Sequence, residues 1–134
     1  MPHLVILYTN NLESQTDMSA LCRKLANAML TVKDEESKQV FPTGGTRVLA
    51  FPAAHFAVAD GQRDYAFVYL NLRMGRGRSA DVMKQAGETL RAVALEHFTE
   101  LLANRYIGIT LQVDEGHATF DAKLSSIHPL FARN

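Results

Sequence analysis

A chain of 134 residues, 47% hydrophobic and 21% charged, has the length for one apolar core and shows no composition break that would divide it. Its 14 Lys and Arg balance its 14 Asp and Glu, so no net field recruits nucleic acid or an anionic membrane. Cys22 is the single cysteine, which excludes an intrachain disulfide, and no run approaches the roughly 18 apolar residues of a membrane span. The opening apolar run is also too short for a signal peptide and lacks its basic leader, so a reducing, cytoplasmic setting is expected.

Residues 2–9, rich in Leu, Val, Ile and Tyr, read as a strand buried on both faces. Apolar residues then recur at Met18, Leu21, Cys22, Leu25 and Met29, which is helical spacing, with Thr16 or Asp17 as the N-cap. The charged stretch VKDEESKQ ends that pattern, FPTGG supplies a turn, and TRVLAF offers a second strand. After a loop ending in ADGQ, DYAFVYLNLRM is the clearest strand, with Tyr65, Phe67 and Tyr69 alternating along one face. GRGRS follows, and Ser79 caps a helix whose stripe runs from Val82 through Leu90 and Phe98 to about residue 103. YIGITLQVDE is the fourth strand.

Strand, helix and strand thus occur twice, in halves of about 2–60 and 61–134. A helical crossover makes the strands it joins parallel, so the expected fold is α+β, a single domain with a mixed four-stranded sheet and both helices on one face. The aromatic residues of the third strand exceed the need of one face, and other subunits are the expected cover of the second. The tail after residue 116 carries short apolar pieces that fit either an edge strand or a clasp on a neighbour.

Few residues invite chemistry. The five histidines include no HxxxH or HxH pair, and a metal site is not expected. GRGRS places Arg76 and Arg78 where a strand ends and a helix begins, which is ground for an anion or simply a tight turn with solvated arginines; the Lys-Ser/Thr of a P-loop is absent. Arg47 opens the second strand and reads as a ligand-binding or a solvated side chain. Pro2 has two readings as well. Proline is tolerated at the first position of a strand. Alternatively, Met before a small residue is commonly trimmed, and the new terminus would be a secondary amine. A terminal amine has a pKa of about 7.7–8.0, which burial and nearby guanidinium charge push downward, toward a usable base. Two arginines beside it would bind carboxylates and stabilise an enolate, a set suited to proton transfer next to a carbonyl.

Taken together, MPH at the start, FPTGGTR at 41–47, ADGQRDYAFV at 59–68, GRGRS at 75–79, QAGE at 85–88 and His97-Phe98 resemble the 5-carboxymethyl-2-hydroxymuconate isomerase family of the tautomerase superfamily. The similarity runs from Pro2 to about Phe131. It implies a cytoplasmic homotrimer of paired βαβ units, without cofactor, that acts on a small dienol carboxylate in aromatic catabolism. Pro2 matches the family's general base, and Arg47 and Arg78 fall on its two active-site arginines. Leu7 stands where relatives often carry an acidic residue, which is expected to change the polarity beside the base, and 33–38 looks like an insertion of about six residues. Two other readings fit the same residues: a broader enol/keto tautomerase, and a non-catalytic trimeric anion-binding protein.

Overall fold

The computed structural model describes residues 2–131. Two βαβ units build the sheet: β1 (His3–Thr9), α1 (Met18–Met29) and β2 (Val48–Ala53), then β3 (Ala66–Gly75), α2 (Ala80–His97), a short α3 (Thr99–Asn104) and β4 (Ile107–Gly116). The strand order is β2-β1-β3-β4; β1 runs parallel to β2 and antiparallel to β3, and β3 runs parallel to β4. This is the mixed sheet that the repeated strand-helix-strand pattern predicts, with the two halves meeting along the β1–β3 pair.

Alternation along the strands sends Leu4, Ile6 and Tyr8 of β1 and Val68, Leu70, Leu72 and Met74 of β3 into one buried face. There they meet Leu21, Leu25 and Met29 of α1 and Ala86, Leu90 and Ala94 of α2. Asp17 caps α1 by accepting from the Ala20 N–H at 2.9 Å, and Ser79 caps α2 by accepting from the Val82 N–H at 3.2 Å. The second helix stops sooner than its apolar stripe suggests. Phe98, wholly buried, leaves helical geometry at φ −100° and ψ 11°, and the Thr99 hydroxyl bonds back to the Leu95 carbonyl, so the chain re-enters a helix as α3.

Two further expectations need correction. β1 is wholly buried on one face and open at His3 and Leu7 on the other, because nothing in the single chain covers Leu7, which is 47% exposed. Leu7 pairs with Phe51 and Tyr69 on that open face, five positions from Pro2, or roughly 16 Å along the strand. Within one chain it therefore does not set the polarity beside Pro2. Among the described residues beyond β4 the tail forms no strand, which removes the edge-strand alternative; it crosses to the far edge of the sheet, where a short turn at His128–Leu130 packs on the Thr43–Gly45 turn. Gly44 permits this contact, since a Cβ there would lie 2.6 Å from the His128 Cα. Met1 and positions 132–134 of the second half fall outside the described residues.

Two histidines couple this fold to pH. His97 bonds Thr16 at 2.7 Å, and burial holds its pKa below the usual 6.5, with Lys24 adding to the shift. His3 is lowered likewise, by burial first and then by Arg47. A depressed histidine pKa means that the unfolded chain binds more protons in the interval below 6.5, so stability is full above that value and falls as pH drops through it. The urea midpoint is expected to be lower at pH 5.5 than at pH 7.5, and the difference should shrink in His97→Gln. An unchanged or higher midpoint at pH 5.5 would contradict this assignment.

Candidate active site

The antiparallel β1–β3 pair sets His3 opposite Arg73, so the first residues of β1 lie against the last residues of β3. The parallel β1–β2 pair begins at Leu4 with Val48, which brings Arg47 to the same end of the sheet, and the Leu4 N–H donates to the Arg47 carbonyl at 3.2 Å. Pro2, Arg47 and the turn after β3 are thereby gathered at one edge by topology alone.

Pro2 is buried, at the point where β1 starts. The half-buried Arg47 lays its guanidinium on the His3 ring, with Nη1 3.1 Å from Nδ1 and 3.4 Å from Nε2. Only a ring nitrogen without a proton can accept that bond, and the lowered His3 pKa favours the neutral ring. Arg78 is placed by different means. Its Nη1 donates to the Gly75 carbonyl at 3.1 Å and its Nη2 to the Val40 carbonyl at 3.3 Å, two of the five donors of the fork. The turn that carries it passes through Gly77 at φ +115°, a conformation that L side chains rarely adopt. Arg76, the other arginine of that turn, is exposed.

The charged stretch around 33–38 folds into a compact hairpin beside this arginine. The Asp34 carboxylate accepts from the Glu36 and Lys38 N–H groups, Lys33 bridges Gln39, and Ser37 takes φ +63°. Glu35 accepts from the Ser79 hydroxyl at 2.5 Å, a bond that lowers its carboxyl pKa, so the hairpin leans on the start of α2 while Val40 holds Arg78.

Of Pro2, Arg47 and Arg78, Arg47 alone lines either of two grooves on the single chain. One of about 700 Å³ lies between α1 and β2 and has Arg47 on its rim with Cys22, Val48 and Phe131. Another of about 660 Å³ runs between α2 and β4, lined by Gly87, Leu111 and Val113 among others. Neither is lined by Pro2, Arg47 and Arg78 together. Among the described residues, no group of three or more His, Cys, Asp or Glu is placed to hold a metal, and no helix is long and apolar enough to cross a membrane.

A family model described as 5-carboxymethyl-2-hydroxymuconate isomerase matches residues 2–131. The chain belongs to that family. It is 32% identical over 131 residues to the 5-carboxymethyl-2-hydroxymuconate Delta-isomerase of Escherichia coli, a match covering 98% of this chain and 99% of the relative. A crystal structure of a 5-carboxymethyl-2-hydroxymuconate delta-isomerase is 54% identical and superposes with a TM-score of 0.95 over 100% of this chain and 95% of that one. The 5-carboxymethyl-2-hydroxymuconate isomerase from Deinococcus radiodurans R1 is 33% identical, with a TM-score of 0.85 over 98% and 95% of the two chains. The fold reaches further: a fused 4-OT symmetric trimer, at 13% identity, shares it with a TM-score of 0.53 over 84% and 87%. An isomerase of the 5-carboxymethyl-2-hydroxymuconate isomerase family is thus what this sheet builds.

Within that family frame, sequence reasoning named Pro2, Arg47 and Arg78 but passed over two residues at the same end of the sheet. His3, one of five histidines without metal-ligand spacing, is the acceptor on which Arg47 rests. Arg73 lies within β3, where its local sequence marks only a strand. The signal for both is the open face of the sheet, which changes from Leu7, Phe51 and Tyr69 to His3, Asn71 and Arg73 toward this end. That change is invisible until the register is known.

Proposed function

We propose that this isomerase converts 5-carboxymethyl-2-hydroxymuconate, or a close analogue, to its conjugated 2-oxo isomer, with the nitrogen of Pro2 as general base once Met1 is removed. The reading rests on family membership and, above all, on one observation: Arg47 is held against the residue that follows a buried Pro2. A buried amine beside guanidinium charge stays unprotonated at neutral pH more readily than a free terminus. It takes the proton of the 2-hydroxyl; the O–H electrons form the 2-oxo bond, the C2=C3 pair moves to C3=C4, and the C4=C5 pair takes a proton back from the ammonium at C5. Arg47 and Arg78 each hold a carboxylate, and the one nearer the 2-position also stabilises the developing oxyanion. The step belongs to the breakdown of aromatic compounds in the cytoplasm.

The working unit of this proposal is a homotrimer. Leu49 and Phe51, 47% and 50% exposed, continue the patch that Leu7 begins, and an apolar sheet face of this kind is characteristically covered. Since neither groove of one chain is lined by all three residues, a neighbouring subunit would complete the pocket. Light scattering at micromolar concentration should give about three times the chain mass of 14.9 kDa. A monomer would contradict the cover argument. Purified protein mixed with 5-carboxymethyl-2-hydroxymuconate should produce the 2-oxo isomer far faster than buffer, and a rate equal to buffer would overturn the assignment. A simple enol of phenylpyruvate should be a much poorer substrate, because it offers one carboxylate to two arginines.

A further inference from the structure

Three carboxylates are present in 5-carboxymethyl-2-hydroxymuconate, two from muconate and one from the carboxymethyl arm. The site described above has two arginines for them. We propose that Arg73 is the third anion-binding residue, holding the carboxylate that Arg47 and Arg78 leave unclaimed and so selecting a tricarboxylate over a dicarboxylate. The inference rests on the substrate reading given under the proposed function.

Placement carries the argument. In sheet order β2, β1, β3, β4, one cross-strand row on the open face reads Arg47, His3, Arg73 and Asp114. Arg47 and Arg73 flank β1 from its two sides, so their backbones lie about two strand spacings, roughly 10 Å, apart. That is a span over which two long side chains can grip the ends of one six-carbon diacid. His3 lies between them in the row, and its pKa is lowered by burial first and then by Arg47, with Arg73 a smaller contributor.

The local chemistry leaves Arg73 for a ligand. Asp114, its register partner on β4, accepts from the Asn71 amide at 2.8 Å. Among the described residues, no carboxylate forms a salt bridge with Arg73. The guanidinium instead lies over Gly116, where an added Cβ would come within 2.5 Å of its Nη2 and 2.9 Å of its Cζ. A glycine at this point of β4 therefore makes room for the arginine to lie along the sheet end. Asp121 of the tail lies near His3, but its carboxylate is engaged by Lys123.

The test compares 5-carboxymethyl-2-hydroxymuconate with 2-hydroxymuconate, which lacks the carboxymethyl arm, in the parent enzyme and in Arg73→Gln. Glutamine removes the charge from a side chain that is exposed in the single chain and lies outside its core. The variant should lose about 10-fold or more of kcat/KM on the tricarboxylate, through KM, while its kcat/KM on the dicarboxylate changes less than about 3-fold. Gly116→Ala keeps the charge but occupies the guanidinium's place, and it should shift the same ratio in the same direction by less. Equal losses on both substrates, or none on either, would overturn the proposal. A parent that turns over neither dienol would instead refute the substrate reading. Binding of the unreactive propane-1,2,3-tricarboxylate and of glutarate, followed by NMR titration, then decides on Arg73 alone. The parent should prefer the tricarboxylate and Arg73→Gln should not; equal preference in the two proteins overturns the proposal.

Discussion

Replacing Pro2 by alanine should leave the fold standing and lower turnover by about 10²–10⁴-fold, the contribution of a positioned general base. Methionine is trimmed before alanine as well, so the variant begins with a primary amine at the same buried end of β1. The ladder is unaffected, because β1 takes its first register pair at His3 and its bond to the Arg47 carbonyl at Leu4. What changes is the base: the ring that fixed the direction of the nitrogen lone pair is gone, and a primary amine can form imines with the 2-oxo product. The pH profile carries a second signature. In the parent, activity should rise with pH through an apparent pKa below the roughly 7.7–8.0 of a free terminus, since burial and the guanidiniums both disfavour the ammonium. Steady-state rates from pH 5 to 9 for parent and variant check both points. Parental turnover in Pro2→Ala would make the proline structural.

Lysine at position 78 should be far from conservative. The Arg78 fork spans two backbone carbonyls, those of Gly75 and Val40, and keeps its plane fixed while doing so. A lysine ammonium keeps the charge but is a single point with no plane, and it cannot grip both carbonyls and a carboxylate with paired donors. Losing a charge-assisted bond of about 1.5–3 kcal/mol lowers kcat/KM by about 10–100-fold. The loss should appear with all three-carboxylate and two-carboxylate dienols alike, which separates this position from Arg73. The hairpin at 33–40 should also loosen, since Val40 loses one of its holds on the α2 turn, and faster proteolysis there would accompany the kinetic change. Unaltered kinetics in Arg78→Lys would remove this residue from the site.

Much of the scaffold was legible in the sequence because local rules and tertiary packing agree there. Helical spacing of Met18, Leu21, Leu25 and Met29 after an aspartate predicts α1 to within a residue, and Ser79 before Val82 and Ala86 marks the start of α2. The end of α2 was not legible: the stripe continues through Phe98, and the break there comes from a buried side chain and a threonine back-bond rather than from a Gly or Pro signal. The two-sided burial expected of β1 fails in the single chain because hydrophobicity marks a face that wants cover without saying what supplies it.

The candidate site is marked in the sequence only through resemblance. Neither Arg47 nor Arg78 stands in a motif that distinguishes a ligand-binding arginine from a solvated one, and the contacts that place them come from distant parts of the chain. His3 and Arg47 are 44 positions apart, and Val40 and Arg78 are 38 apart. The 33–38 stretch looked like an insertion of unknown consequence. Its consequence, a carboxylate on Ser79 and a carbonyl near Arg78, depends on a hairpin that folds back across the start of α2.

The central claim is that the nitrogen of Pro2 acts as the base, and the most direct measurement compares two forms of one protein. Intact mass separates enzyme that begins at Pro2 from enzyme that retains Met1, in which the same nitrogen is an amide with no basic lone pair. The two forms share every other residue and, with Leu4 and Ile6 anchoring β1 in the core, the same sheet. Rates on 5-carboxymethyl-2-hydroxymuconate at pH 7.5 should differ by at least the 10²-fold lower bound of general-base catalysis, with the activity in the Met1-free form. Equal rates in the two forms would contradict the account.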